Sequence, residues 1–317
     1  MEAVSSPARR RLAMPSFRRA SSRPDEEHPV LPVPPLGARL QVVRAVLVLV
    51  FVVALSLLLQ LLLVSSLQQR AAQQRSFERF RAELALGTAP VGPADSEGRV
   101  LAMGAPVAYI EIPSIGLRQV VGEGTSAGTL FGGPGHRRDT PLPGQVGTSV
   151  VFGRHSAFGG PFARIGELHE GDTITVTTGQ GEYEFHVLDV RHEGDPSPPA
   201  LEAGEGRLLL ATAAGQPFLP DGVLRVDAEL EGDADPAAAR YFSAQTLPAE
   251  EQVMASDAMT LWALALWLQA LIAVVAGAVW AWHRWGRAQA WIVFLPPLVL
   301  VGLSASGEAA HLLPNLL

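Results

Sequence analysis

Two apolar runs with no charged side chain, 45–67 and 259–282, constrain this chain more than any other feature, together with a third, 290–313, whose first acid is Glu308. At about 1.5 Å of rise per helical residue, each can cross the roughly 30 Å hydrocarbon layer of a bilayer. The pattern predicts three transmembrane helices. A cleaved signal peptide is the competing reading of 45–67, but its apolar core is too long and about 40 residues precede it. Arg9, Arg10, Arg11, Arg18, Arg19 and Arg23 lie before the first run, and Arg284 and Arg287 lie between the second and third. Cytoplasmic flanks are the ones enriched in Arg, so both places are expected inside and everything between the first two runs outside.

The rest of the chain divides by texture. Residues 1–44 combine Arg clusters with Pro29, Pro32, Pro34 and Pro35 and are expected to be disordered. Residues 68–99 open with Ala71, Gln74, Phe77, Phe80 and Leu84 at helical spacing, predicting a stalk that ends in a Gly/Pro-rich linker. In 100–230, short β-branched runs alternate with Gly, Pro and Asp, predicting strands over 107–112, 149–152, 173–178, 183–190, 207–211 and 224–230. A polar linker, 231–258, leads to the second apolar run.

Absences narrow the chemistry. The chain has no cysteine, which excludes disulfides, thiolate zinc sites, iron–sulfur clusters and thiol nucleophiles. A net charge of -7 argues against a nucleic-acid partner, which would need a basic face. No residue pattern asks for a cofactor.

Within the β-rich region, ordered segments carry a family resemblance. Ile110-Glu111-Ile112-Pro113-Ser114-Ile115-Gly116-Leu117 comes first. Leu130, Gly133-Pro134-Gly135-His136, Thr140, Pro143-Gly144 and Gly147 follow, then Gly159-Gly160-Pro161-Phe162, Leu168 and Gly171-Asp172. Taken in order, they resemble the sortases, membrane-anchored cysteine transpeptidases of Gram-positive cell surfaces, most like class E. The resemblance implies an eight-stranded β-barrel ectodomain with a groove for a sorting peptide, so that with the three transmembrane helices read from the apolar runs the expected class is a mainly β, membrane-anchored protein. It also implies a Cys nucleophile, a His that handles the proton and an Arg that donates to the oxyanion. The Cys is expected after Leu208-Leu209-Leu210-Ala211-Thr212, where Ala213 stands. The His is expected after Val150-Val151-Phe152-Gly153, where Arg154 stands and His155 follows. The Arg position is occupied by Val223. Arg225 would share the face of Val223, displaced by roughly 7 Å, and His155, one residue along, would face the other way.

Two functional readings follow. In the first, the barrel has lost catalysis and binds, through a groove containing Arg154, His155, Thr212, Ala213 and Arg225, an extracytoplasmic peptide or surface protein, or scaffolds an active sortase. In the second, it is a sortase-family transpeptidase or hydrolase with substituted groups: Thr212 or Ser149 as nucleophile and His155 or His136 as base. His136 reads more simply as a structural loop histidine. Asp189, His192, Glu193 and Asp195 read as a solvated loop and not a metal site. Glu308 and His311 read as helix-end residues, and Gly277, Ala278 and Ala281 offer a face for a helical partner.

Overall fold

The computed structural model describes residues 38–255 and 261–317. The disordered segment expected before residue 38 lies outside the described residues, as do Met259 and Thr260 at the start of the second apolar run. One long helix opens the described chain: α1 (Ala38–Leu59), a π-helical turn at Gln60–Val64, and α2 (Ser65–Leu86). Residues 38–44, expected to be unstructured, are therefore its first turns.

The barrel consists of β1 (Pro106–Ile112), β2 (Leu117–Glu123), β3 (Gly135–His136), β4 (Gly147–Phe152), β5 (Thr173–Thr178), β6 (Glu182–Arg191), β7 (Gly206–Gln216) and β8 (Leu219–Leu230). A short helix, α3 (Ala127–Gly132), crosses between β2 and β3. The strands close in the order β1-β2-β3-β4-β7-β8-β6-β5, with β2/β3 and β4/β7 parallel. Closure leaves no long unpaired edge. In β5 the sequence alternates Thr with Ile174 and Val176, and the two aliphatics are buried in the core while the flanking threonines are partly exposed. The patterning did not reveal β2 and β3. β2 begins at once after a tight turn, where Gly116 adopts φ +66°, a left-handed conformation that suits glycine.

Two segments expected to be tethers are packed on the barrel. From α2, Gln73 donates to the carbonyls of Val120 and Gly132 and accepts from Val120 N–H, Phe77 stacks at an angle on Tyr109, and Phe80 is buried. After β8, Leu247 and Glu251 are buried, and Glu251 accepts from Arg138. Short polar stretches gave no sign of these contacts because their partners lie far along the chain.

The chain ends in α4 (Leu261–Trp285) and α5 (Arg287–Ala310), joined at Gly286. Trp282 meets Trp291, Gly277 meets Phe294, and Leu271 and Val275 cluster with Val301. Numbers rise on one helix as they fall on the other, so the pair is an antiparallel hairpin. Gly277 and Ala281, expected to face a partner, are used inside the molecule: a Cβ on Gly277 would lie 2.9 Å from the Phe294 ring, and Ala281 is buried. Val52 and Val53 of α1 join the hairpin cluster. Gly302 approaches α1 so closely that a Cβ there would lie 2.6 Å from the Ser56 hydroxyl.

Two corrections to the expected class follow. Among the described residues two helical stretches, Leu261–Trp285 and Ala288–Ala310, are long and apolar enough to cross a membrane, where three were expected; the apolar part of α1, Val46–Leu59, is shorter. The chain is also not mainly β: helix outweighs strand among the described residues, and the β character belongs to the barrel alone.

Candidate functional site

The site lies on the outer face of β4, β7 and β8. Along these strands Val151, Leu208, Leu210, Leu224 and Val226 turn into the barrel core. The two-residue period therefore sends Val150, Phe152, Ala211, Ala213 and Val223 outward. In register, Phe152 lies beside Ala211, and Ala213 pairs with Val223. These outward side chains are not exposed. They form a second apolar cluster with Leu130 of α3 and with Leu316, near the end of the chain.

At the end of β4 the backbone turns sharply. Gly153 N–H donates to Ala211, and a Cβ on Gly153 would fall 2.4 Å from the ring of Phe162, so the close passage requires glycine. Arg154 comes next and is 0% exposed. Its guanidinium lies 4.8 Å from the centre of the Phe131 ring and 5.3 Å from that of Phe158. Nη1 donates to the Pro314 carbonyl at 3.5 Å, at the outer limit of a hydrogen bond, and Nε and Nη2 have no hydrogen-bond partner. Burial pushes this group down to about 9, which leaves it a cation at neutral pH. The expected place of Arg154 in an open groove is thereby corrected: its side chain is buried against Phe131, Phe158 and the Pro314 carbonyl. His155 is partly buried, and burial pushes its imidazole down.

Leu316 and Leu317 meet this turn through their backbone. His155 N–H donates to the Leu316 carbonyl at 2.9 Å, while Ser156 and Ala157 N–H donate to the Leu317 carbonyl at 3.1 and 2.9 Å. Asn315 is fully buried, and its side-chain nitrogen donates to the carbonyls of Thr125, Glu250 and Gln252 at 3.1, 2.7 and 3.2 Å. Three converging carbonyls can only accept, which fixes the orientation of the carboxamide.

Other sequence candidates are distributed differently. Thr212 shares the inward face of Leu210, and its hydroxyl donates to the Gly153 carbonyl at 2.8 Å. Ser149 shares the inward face of Val151 and is buried. Neither hydroxyl is on the face that carries Ala213. Arg225 pairs with Ala211 and Arg191 in the ladders and is partly exposed. His136 is buried with Nδ1 2.9 Å from Glu123 and Nε2 2.9 Å from the Pro141 carbonyl, so its ring lies between two acceptors. Burial alone would push His136 down; Glu123, the Pro141 carbonyl and Asp139 outweigh it and hold the imidazole above its ordinary value. His192 and Asp195 are exposed, their nearest charged atoms 3.9 Å apart. Glu184, His186 and Glu231 could converge on a cation, but all three lie near the surface, and His186 is already bonded to Glu231.

Residues 314–317 were the part of the site that sequence reasoning missed. A Pro-Asn step after an apolar run was the only local signal, and it reads as a turn.

The site thus belongs to a closed eight-stranded barrel, followed in the chain by a hairpin of two helices long and apolar enough to cross a membrane, with residues 314–317 packed across the barrel's outer face. Residues 110–213 match the sortase domain family. Sortase D of Bacillus subtilis (strain 168) is 30% identical over 105 residues, 32% of this chain and 52% of that protein. The chain thus spans about half the length of the curated relative it matches. Among solved structures, the Sortase D5 transpeptidase of Clostridium perfringens covers 51% of this chain and 99% of its own, at 20% identity and TM-score 0.42. Sortase E of Streptomyces avermitilis covers 42% and 92%, at 27% identity and TM-score 0.36. These TM-scores are low and carry no argument; the likeness of the barrel to the sortases rests on the sequence match over residues 110–213.

Proposed function

We propose that this chain is a multi-pass plasma-membrane protein whose sortase-like barrel, on the extracytoplasmic side of a Gram-positive cell, binds a peptide or surface protein without transpeptidase chemistry. One observation carries the reading. Ala213, at the position where the resemblance requires the nucleophilic Cys, is a buried methyl group on the outer face, and the neighbouring hydroxyls of Thr212 and Ser149 turn into the barrel. A methyl group cannot attack a carbonyl, and a hydroxyl needs an aligned base to do so at neutral pH. Arg154, in place of the expected His, is a fixed cation that favours a carbonyl-rich or anionic ligand. An active sortase is a partner of the same class, since such a domain can scaffold anchoring as well as hold a substrate.

Three spans fit this reading. The contacts of α1 with the α4–α5 hairpin support the shorter apolar stretch as the third, and the Arg-rich flanks argue for a barrel on the outside.

The test is turnover. Full-length protein in detergent micelles should neither cleave nor transfer a fluorogenic sorting-motif peptide. Turnover above a no-protein control, abolished by Thr212→Ala or His155→Ala, would overturn the reading in favour of substituted catalysis.

A further inference from the structure

The outer face of β4, β7 and β8 is already covered, and its cover is part of this chain. Leu316 fills the cluster around Ala213 and Val223, Asn315 fills a pocket of three carbonyls, and the N–H groups of residues 155–157 donate to the main-chain oxygens of Leu316 and Leu317. Main-chain bonds of this kind tolerate many sequences, while the pockets for individual side chains select among them. Here the selective elements are the carboxamide pocket, which demands a donor, and the apolar slot for Leu316. The segment leaves Nε and Nη2 of Arg154 without hydrogen bonds, so it satisfies the site incompletely.

We propose that this face is a peptide site specific for an apolar turn bearing an Asn side chain, the conformation of Pro314–Leu317, whose Leu317 N–H donates to the Pro314 carbonyl at 3.0 Å, and that this segment holds it closed in cis until a peptide of the same chemistry displaces it. The proposal rests on the peptide-binding reading above and adds its ligand class and its cis occupant. A tethered occupant acts at an effective concentration on the order of millimolar. A competitor must therefore either be abundant or offer the acceptors for Arg154 that the tail lacks.

The experiment uses the full chain in nanodiscs and a fluorescein-labelled peptide of the tail sequence, His-Leu-Leu-Pro-Asn-Leu-Leu. In the wild-type protein the amides of residues 155–157 should exchange slowly with deuterated solvent, and labelled peptide should bind weakly. In Asn315→Ala those amides should exchange at least tenfold faster and peptide affinity should rise roughly tenfold or more, as expected when a tethered competitor is released. Unchanged protection of β6 and β8 shows that this variant is folded; if it is lost, Leu316→Ser, which weakens the tail without touching the carbonyl pocket, replaces it. A peptide with Asp in place of Asn should not bind, because a carboxylate cannot donate to three carbonyls. Rapid exchange at 155–157 in the wild type, or no gain in peptide affinity on loosening the tail, overturns the proposal. A sorting-motif peptide run in parallel separates the two readings: its binding to the loosened variant without tail-peptide binding sinks only the cis ligand. Tail-peptide binding alone supports the cis ligand and counts against sorting peptides as the natural cargo.

Discussion

Ala213 of β7 stands directly opposite Val223 of β8, and both side chains are buried on the outward face of the barrel. In the resemblance these are the positions of nucleophile and oxyanion donor, so two expected reactive groups are replaced by a facing pair of aliphatic ones. The pair extends an apolar surface onto which Leu316 packs.

That contact predicts the behaviour of a thiol placed there. The chain has no native cysteine to confuse the measurement. Ala213→Cys should react with iodoacetamide at least about tenfold more slowly than Ser96→Cys on the exposed linker, because an apolar, enclosed setting raises a thiol and hides it. Equal rates would show that the tail does not cover position 213.

Membrane orientation can be tested with the same clean background. On intact cells a membrane-impermeant maleimide should label Ser96→Cys and Ser243→Cys but not His283→Cys, which becomes reactive only after permeabilisation. Labelling of His283→Cys on sealed cells would reverse the assignment.

Inside the β6–β8 ladder, Arg191 Nε donates to Asp227 at 2.6 Å with both side chains nearly inaccessible. Removing one partner strands a buried charge, a loss of about 3–5 kcal/mol, whereas removing both does not. Asp227→Ala should therefore lower the urea midpoint of the barrel strongly, and Arg191→Met/Asp227→Leu should recover much of it. Urea titrations read by hydrogen exchange in β6 and β8 measure both. Equal losses in the two variants would mean that shape, not charge, governs the site.

His136 sets a pH dependence. Its folded value is raised, so the stability it contributes is fully present below its unfolded value near 6.5 and is lost as pH rises through the folded value. The thermal midpoint of the barrel should fall as pH rises from about 6.5 into the alkaline range, and Glu123→Gln should flatten that slope. A wild-type midpoint that climbs over the same range would contradict the ion pair.

Local patterns were enough for some of this molecule. Alternation in Thr173–Thr178 names a half-buried strand, uninterrupted apolar runs name the α4–α5 hairpin, and ordered Gly and Pro steps carry the family. All are periodicities or steric requirements within a few residues. β2 and β3 escaped because one follows a turn without a break and the other is two residues long. The site escaped for a different reason. Whether Thr212 faces in or out depends on which side of β7 the core takes, and the burial of Arg154 depends on Pro314, 160 residues away. Nothing in a charged residue after a strand says that a segment from the far end of the chain will cover it. That outcome belongs to the tertiary structure, because only chain closure brings the carbonyls of Thr125, Glu250 and Gln252 around one carboxamide.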